Sequence, residues 1–298
     1  MNRTLLLIAL MGLSGCSVRK LATGALADAL SGTGTTMSSD NDPELVRDAS
    51  AFGLKTMEGL LPEQPEHLGL ITSLTSGFTQ YGYAFVQQEA DAAELAGRGT
   101  DARARRLRAH RFYKRALGYG LKGLELRAPG STAALETMKD VPAALSKLTK
   151  EDVALMYWTA AAWALAISSN KEDMGLISQL PAPEALVRRA LELDEAWGDG
   201  NLHEFMVSLE SSKPGGSEAA AKKHFDRAIE LSRGQHLGVY LSWAEGPLVQ
   251  AQKKDEFTAM VKKVAEANVD ESLPNRLANT VAQRRARVLL AHTDDLFN

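Results

Sequence analysis

The chain has 298 residues, 45% hydrophobic and 24% charged, and its 34 basic against 37 acidic side chains leave a formal net charge of −3. That length and composition supply a folded body with a sizeable core, as one large domain or two small ones. The near balance of charge argues against a polyanion partner such as nucleic acid.

The first element in chain order is a targeting segment. Arg3 and the apolar run Leu5–Met11 form the cationic start and apolar middle of a secretory signal, too short to span a bilayer as a mature helix. The run ends in Leu13-Ser14-Gly15-Cys16, which resembles the bacterial lipobox, where the signal is cut just before a cysteine carrying diacylglycerol. Cys16 is the only cysteine, and lipidation consumes a thiol that would otherwise invite unwanted disulfides in an exported protein. Residues 1–15 are therefore read as a lipoprotein signal peptide and Cys16 as the site of lipid attachment. One acyl chain holds a membrane only marginally, whereas two or three hold firmly. Ser17 resembles the outer-membrane-sorted class rather than the retained class that carries Asp. The expected location is the periplasmic face of the outer membrane, with the lipid anchor as the sole membrane contact.

Residues 16–40 read as the lipidated N-terminus, an apolar helix and a linker. Val18, Leu21, Ala22, Ala25, Leu26, Ala29 and Leu30 recur at three- and four-residue steps, one helical stripe. Ser31 to Ser39 is a flexible polar connector. Residues 41–298 read as one helical repeat domain, because no sustained alternating run argues for strands. Asp42-Pro43 offers an N-cap followed by proline at the first helical position. Thr149 with Asp152 three residues on approaches a capping box. The apolar run Val153–Ile167 is too short to cross a bilayer and predicts a buried core helix. Breaks fall at Pro129-Gly130, Pro181-Ala182-Pro183 and Pro214-Gly215-Gly216. About a dozen helices with short links give an all-α fold. Arg-Ala pairs with hydrophobic flanks place Ala116, Ala190 and Ala228 at spacings of 74 and 38 residues. These are near multiples of the roughly 34-residue helix-pair repeat, in which a small residue sits where two helices touch.

Motifs for chemistry are mostly absent. Gly118-Tyr119-Gly120-Leu121-Lys122-Gly123 matches a dinucleotide fingerprint by letter, but it lies inside a helix predicted from about Arg103 to Leu126 rather than after a strand. Close helix packing is the expected reason for its glycines. His203-Glu204 begins a zinc-protease motif whose second histidine is replaced by Val207. No catalytic group, metal site or cofactor is expected. The basic run Arg103, Arg105, Arg106, Arg108, Arg111, Lys114 and Arg115 reads as a solvated face balanced by Glu89, Asp91, Glu94 and Asp101, or as a docking patch for an acidic partner. The candidates for ligand contact are Tyr157, Trp158, Trp163, Asn201, His203, Trp243, Asn275 and Asn279. Aromatics at these spacings are usually core; the functional alternative is a lined cleft between helix layers.

Several segments together resemble a known family: Asp42-Pro43-Glu44-Leu45-Val46, Tyr81-Gly82-Tyr83-Ala84-Phe85-Val86, Tyr157-Trp158 with Ala160-Ala161-Ala162-Trp163-Ala164, Gly200-Asn201-Leu202-His203, and Leu273-Pro274-Asn275-Arg276-Leu277-Ala278-Asn279. In order, and with the lipobox, they resemble the T component associated with TRAP transporters, a tetratricopeptide-like periplasmic lipoprotein. The resemblance implies degenerate tetratricopeptide-like helix-turn-helix repeats, a homotrimer with a cavity in each subunit, and partnership with a periplasmic solute-binding protein. It also implies passage of a small organic acid, hydrophobic ones included, toward an inner-membrane permease. Competing expectations are a scaffold presenting a concave helical surface to envelope proteins and, disfavoured by the missing motifs, an envelope enzyme.

Overall fold

The computed structural model describes residues 19–32 and 34–297, so the signal segment, Cys16 and Val18 lie outside the described residues. Among the described residues every regular element is helical. The chain runs through residues 19–31 (α1), Pro43–Leu60 (α2) and Leu68–Gly82 (α3). A π-helical turn, Tyr83–Gln87, joins α3 to Gln88–Leu95 (α4), and Gly99–Arg127 (α5) follows. Two short helices, Ser131–Thr137 (α6) and Val141–Leu145 (α7), lead to Val153–Ser169 (α8), Met174–Ile177 (α9) and Pro181–Asp194 (α10). Then come Asn201–Ser212 (α11), Glu218–Ser232 (α12), Leu237–Trp243 (α13) and a second π-helical turn, Ala244–Leu248. Lys254–Glu266 (α14), Arg276–Ala291 (α15) and Thr293–Leu296 (α16) complete it.

The helix starts follow local chemistry. The Asp42 carboxylate accepts from the Glu44 and Leu45 amides, with Pro43 in the first turn, where its missing N–H costs nothing. Thr149 and Asp152 form a full capping box ahead of α8. α8 is apolar on nearly every side because it is buried on nearly every side: Val153, Met156, Ala160, Ala162, Trp163 and Ala166 are all fully enclosed.

Two of the fingerprint glycines have the packing role expected of them. A Cβ on Gly120 would lie 2.3 Å from Thr159 Oγ1, and one on Gly123 would lie 2.9 Å from both Ile71 and Leu155 side-chain carbons. α5 therefore meets α8 and α3 at backbone distance. Gly118 faces open space. Within the basic run on α5, Arg105 pairs with Glu89 and Asp101, and Arg106 with Asp91 and Glu94.

Two apolar cores result. The larger joins α3, α5, α8 and α10 around Trp163, Tyr113 and Leu124; the smaller joins α12 to α15 around Phe257, Phe225 and Trp243. Each fully buried Leu or Phe contributes about 1.5–3 kcal/mol relative to exposure. α11 belongs to both, with Leu202 and Met206 on one side and Val207 on the other. Ala116, Ala190 and Ala228 are fully buried within these cores.

The helices form a closed circuit. Contacts pass from α2 through α3, α5, α8, α10, α11 and α13 to α15, and α15 returns to α2. The turn over residues 36–39 helps to close it: the Leu277 amide donates to the Ser38 carbonyl at 2.9 Å, and Arg276 donates to the Ser39 carbonyl at 3.3 Å.

α1 is held mainly by polar contacts, with Ala27 buried in the larger core. Its polar groups face the body: Arg19 pairs with Glu63 at 2.6 Å, Gln64 donates to the Lys20 carbonyl at 2.7 Å, and Asp28 meets His67 at 3.0 Å. Leu21 remains 76% exposed, and Leu26 and Leu30 are exposed beside it.

Candidate functional site

Two π-helical turns interrupt the described helices. Such turns are rare and widen the helix by one residue, re-aiming the side chains they carry. In the second, Pro247 has no N–H to give the preceding turn, a local reason for the widening. The first turn presents Tyr83 and the second presents Glu245.

Around them lies a polar group drawn from five regions of the chain. Tyr83 keeps 43% of its surface accessible. Burial pushes the hydroxyl's pKa far above the usual phenol range, and the carboxylates of Glu245, Glu204 and Asp91 push the same way against Arg285. Tyr157 on α8 is half-buried and behaves alike, its phenol raised by burial and then by Glu204 and Tyr83. Neither hydroxyl has a hydrogen-bond partner among the described residues.

Glu204 on α11 completes this inner face. Burial raises its carboxyl to about 7, while the Ser242 hydroxyl on α13, donating at 3.3 Å, opposes the shift. No cation pairs with it among the described residues. Gly238 lies so near that a Cβ there would be 2.7 Å from Glu204 Oε1. The Tyr157 ring is 4.9 Å from both Trp158 and Trp197, which gives the wall an aromatic stretch beside the carboxyl.

At the other end of the group the charges are paired, although Arg285 Nη1 is buried without a hydrogen-bond partner. Arg285 on α15 donates from Nε to both Glu245 oxygens at 3.2 Å, and its Nη1 lies 3.5 Å from Asp91 Oδ2. Burial works against the Arg285 charge, but Glu245 and Asp91 more than restore it. Burial also raises Asp91, opposed by Arg285 and by Arg106 at 3.5 Å.

The residues that the sequence singles out for ligand contact are dispersed. Tyr157 and Trp158 stand on the inner face described above. Asn201 opens α11 one turn before Glu204 and is half-buried. Trp163 is enclosed in the larger core, its indole donating to Gln179 at 3.1 Å. His203 bonds Glu195 at 3.1 Å and His224 at 2.8 Å, and burial lowers the pKa of both histidines. Trp243 packs on Phe225 at 5.1 Å in the smaller core. Asn275 donates to Ser272 at 2.9 Å. Asn279 accepts from the Leu237 amide at 3.0 Å and donates to the Gln235 carbonyl at 2.9 Å, fixing the start of α13. Tyr83, Glu204, Glu245, Asp91 and Arg285 form the group without having been singled out for ligand contact. Pro247 inside an otherwise helical run was the available signal for one of the two π-helical turns. Among the described residues no group of three or more His, Cys, Asp or Glu side chains is placed to hold a metal ion, and no helix is long and apolar enough to cross a membrane.

A sequence model of the TRAP transporter T-component family matches residues 39–297. A protein of Treponema pallidum (strain Nichols), described as an uncharacterized protein, is 26% identical over 312 aligned positions, covering 95% of this chain and 94% of its own length.

Proposed function

Because the chain belongs to the TRAP transporter T-component family, we propose that it is a periplasmic accessory lipoprotein that takes a small organic ligand into the circuit of helices and exchanges it with a solute-binding protein. The observation that carries this reading is the group of Tyr83, Tyr157 and Glu204, drawn from three elements and electrostatically coupled, with the Tyr157, Trp158 and Trp197 rings in contact with one another beside it. Ligand sites combine a few polar groups with aromatic ones in this way. A plain scaffold would present its polar groups outward.

The rest of the reading concerns assembly and location. The chain is anchored through Cys16 at the periplasmic face of the outer membrane and works as a homotrimer. Its support is the Leu-Ser-Gly-Cys run and the outward apolar side of α1, with Leu21 at 76% exposure directly after it. Co-purification of the full-length chain with the solute-binding protein encoded beside it is the deciding experiment. Capture of that protein, and native mass spectra of a trimer with ligand mass released on denaturation, are the expected results. No capture at any ligand load sinks the relay. Retention of membrane attachment by a Cys16→Ala variant sinks the anchor.

A further inference from the structure

The four rows of α1 divide by chemistry. Leu21, Ala25 and Ala29 follow one another at four-residue steps, Ala22, Leu26 and Leu30 form the neighbouring row, and all six are exposed. The other two rows meet the body. In one, a Cβ on Gly24 would lie 3.5 Å from Gln64, and Asp28 reaches His67 at 3.0 Å. In the other, the Thr23 hydroxyl accepts from Gln64 at 2.9 Å, Ala27 is fully buried, and Ser31 closes on Gly69. Exposed leucines scattered singly need no explanation, but an uninterrupted apolar half of a helix does.

The chain ahead of α1 indicates what covers it. Cys16 precedes Arg19 by three residues, so its backbone lies within about 11 Å of the start of α1 in any conformation. A lipid on Cys16 brings the head-group layer to that end of the helix. Arg19 and Lys20, both exposed there, suit the phosphates of anionic lipid. A second copy of the chain is the poorer occupant. Three partly exposed leucines and three alanines fall well short of the roughly 800 Å² per partner that a stable protein interface buries. A tethered helix needs no such area, because the tether holds it at high effective concentration beside the bilayer.

We propose that the outward face of α1 lies in the head-group region of the membrane that holds the Cys16 lipid, as a second contact that fixes how the body stands on that membrane. This rests on the anchor reading above and deepens it. The apolar rows enter the lipid boundary while the polar rows carry the body, so the helix is a plate between the two. The face is too small to hold the chain without the lipid, so attachment still depends on Cys16.

The test uses the full-length processed chain in vesicles of phosphatidylethanolamine and phosphatidylglycerol. Leu21→Cys, Leu26→Cys and Leu30→Cys variants each receive a nitroxide label, with Thr23→Cys as the body-facing control. Relaxation by oxygen, which concentrates in lipid, is compared with relaxation by a water-soluble nickel complex. The three outer labels should gain oxygen relaxation and lose nickel relaxation in the vesicle-bound chain, while the Thr23→Cys label should be shielded from both. The same outer labels on a Cys16→Ala chain, which stays in solution, should be open to nickel. Nickel access at all three outer positions of a chain that floats with the vesicles overturns the proposal and leaves the anchor standing. Shielding in both the anchored and the Cys16→Ala chain overturns it in favour of a second copy. A full-length chain that does not float with vesicles removes the anchor and this contact together.

Discussion

Where α5 crosses α8, the two backbones come together through Gly120 and Gly123, and Thr159 and Leu155 fill the space that side chains would have taken. Where α15 meets α2, Arg284 pairs with Glu44, with both side chains about half exposed. Both contacts belong to one circuit of helices, and the circuit needs both to surround anything. The first is set by shape and excludes water; the second is set by charge and is open to ions. The difference predicts that the circuit does not loosen uniformly: it parts at the α15 seam long before α5 and α8 separate.

The largest effect tests the rigid side. Trp163 lies fully buried on α8 with its indole bonded to Gln179. Trp163→Ala should cost about 4 kcal/mol in denaturant-derived stability, from lost burial and the cavity left behind. A loss below about 1 kcal/mol would mean that α8 is not the centre of the larger core.

Asp152 tests the same contact at its end. It sits before α8 and receives Arg127, at the end of α5, at 2.5 Å and 3.2 Å, while closing the capping box of Thr149. Burial works against its charge, but Arg127 and the Thr149 amide prevail and hold the carboxyl below its ordinary range. Asp152→Ala should cost about 3 kcal/mol at neutral pH, because a half-buried guanidinium loses its partner. A lowered folded pKa contributes stability present above the unfolded value of about 4 and lost as pH falls through the folded one. The gap between wild type and variant should therefore narrow on acidification below about pH 4, as read by melting curves across pH.

A glycine pair sharpens the point. Gly120→Ala places a methyl 2.3 Å from Thr159 Oγ1 and should cost about 2 kcal/mol by overpacking. Gly118, two residues away on the same helix, has nothing within 4 Å of its added Cβ. Gly118→Ala should raise stability by up to about 1 kcal/mol through helix propensity alone. Equal effects at the two positions would remove the close approach from the account.

The fold and the site differ in how far the sequence disclosed them, and these residues show why. Asp42-Pro43, the Thr149-Asp152 box and the apolar run of α8 are local signals, each acting within one helical turn, and the helices begin where they say. The Gly120 and Gly123 approach was legible too, because glycine inside a helix carries a penalty that needs a reason. Of the inner face, only Tyr157 and Trp158 were. Tyr83, Tyr157, Glu204, Glu245 and Arg285 are spread over some two hundred positions, and nothing in their neighbours' identities says that they meet. Glu204 drew notice only as half of a broken metal motif beside His203, and those two adjacent residues turn to different partners, Ser242 for one and Glu195 with His224 for the other. A closed circuit is a property of how helices stack, and it assembles sites from residues with no shared local pattern.

The smallest effect on stability is the most informative about the seam. Arg284 and Glu44 form an exposed two-pronged pair, in which the hydrogen bond from Arg284 lowers the Glu44 carboxyl. Such pairs contribute less than about 1 kcal/mol globally, so Glu44→Gln should leave the melting temperature nearly unchanged. Local opening is a separate quantity, governed by the few contacts that must break for α15 to lift from α2. Hydrogen exchange should therefore quicken in α15 of the variant and remain unchanged in α5 and α8. High salt should produce the same pattern in the wild type, because screening weakens an exposed pair and leaves buried apolar contact untouched. Uniform exchange across all three helices would show that the ring opens as one body, and the contrast between a shape-held and a charge-held contact would lose its consequence for access to the inner face.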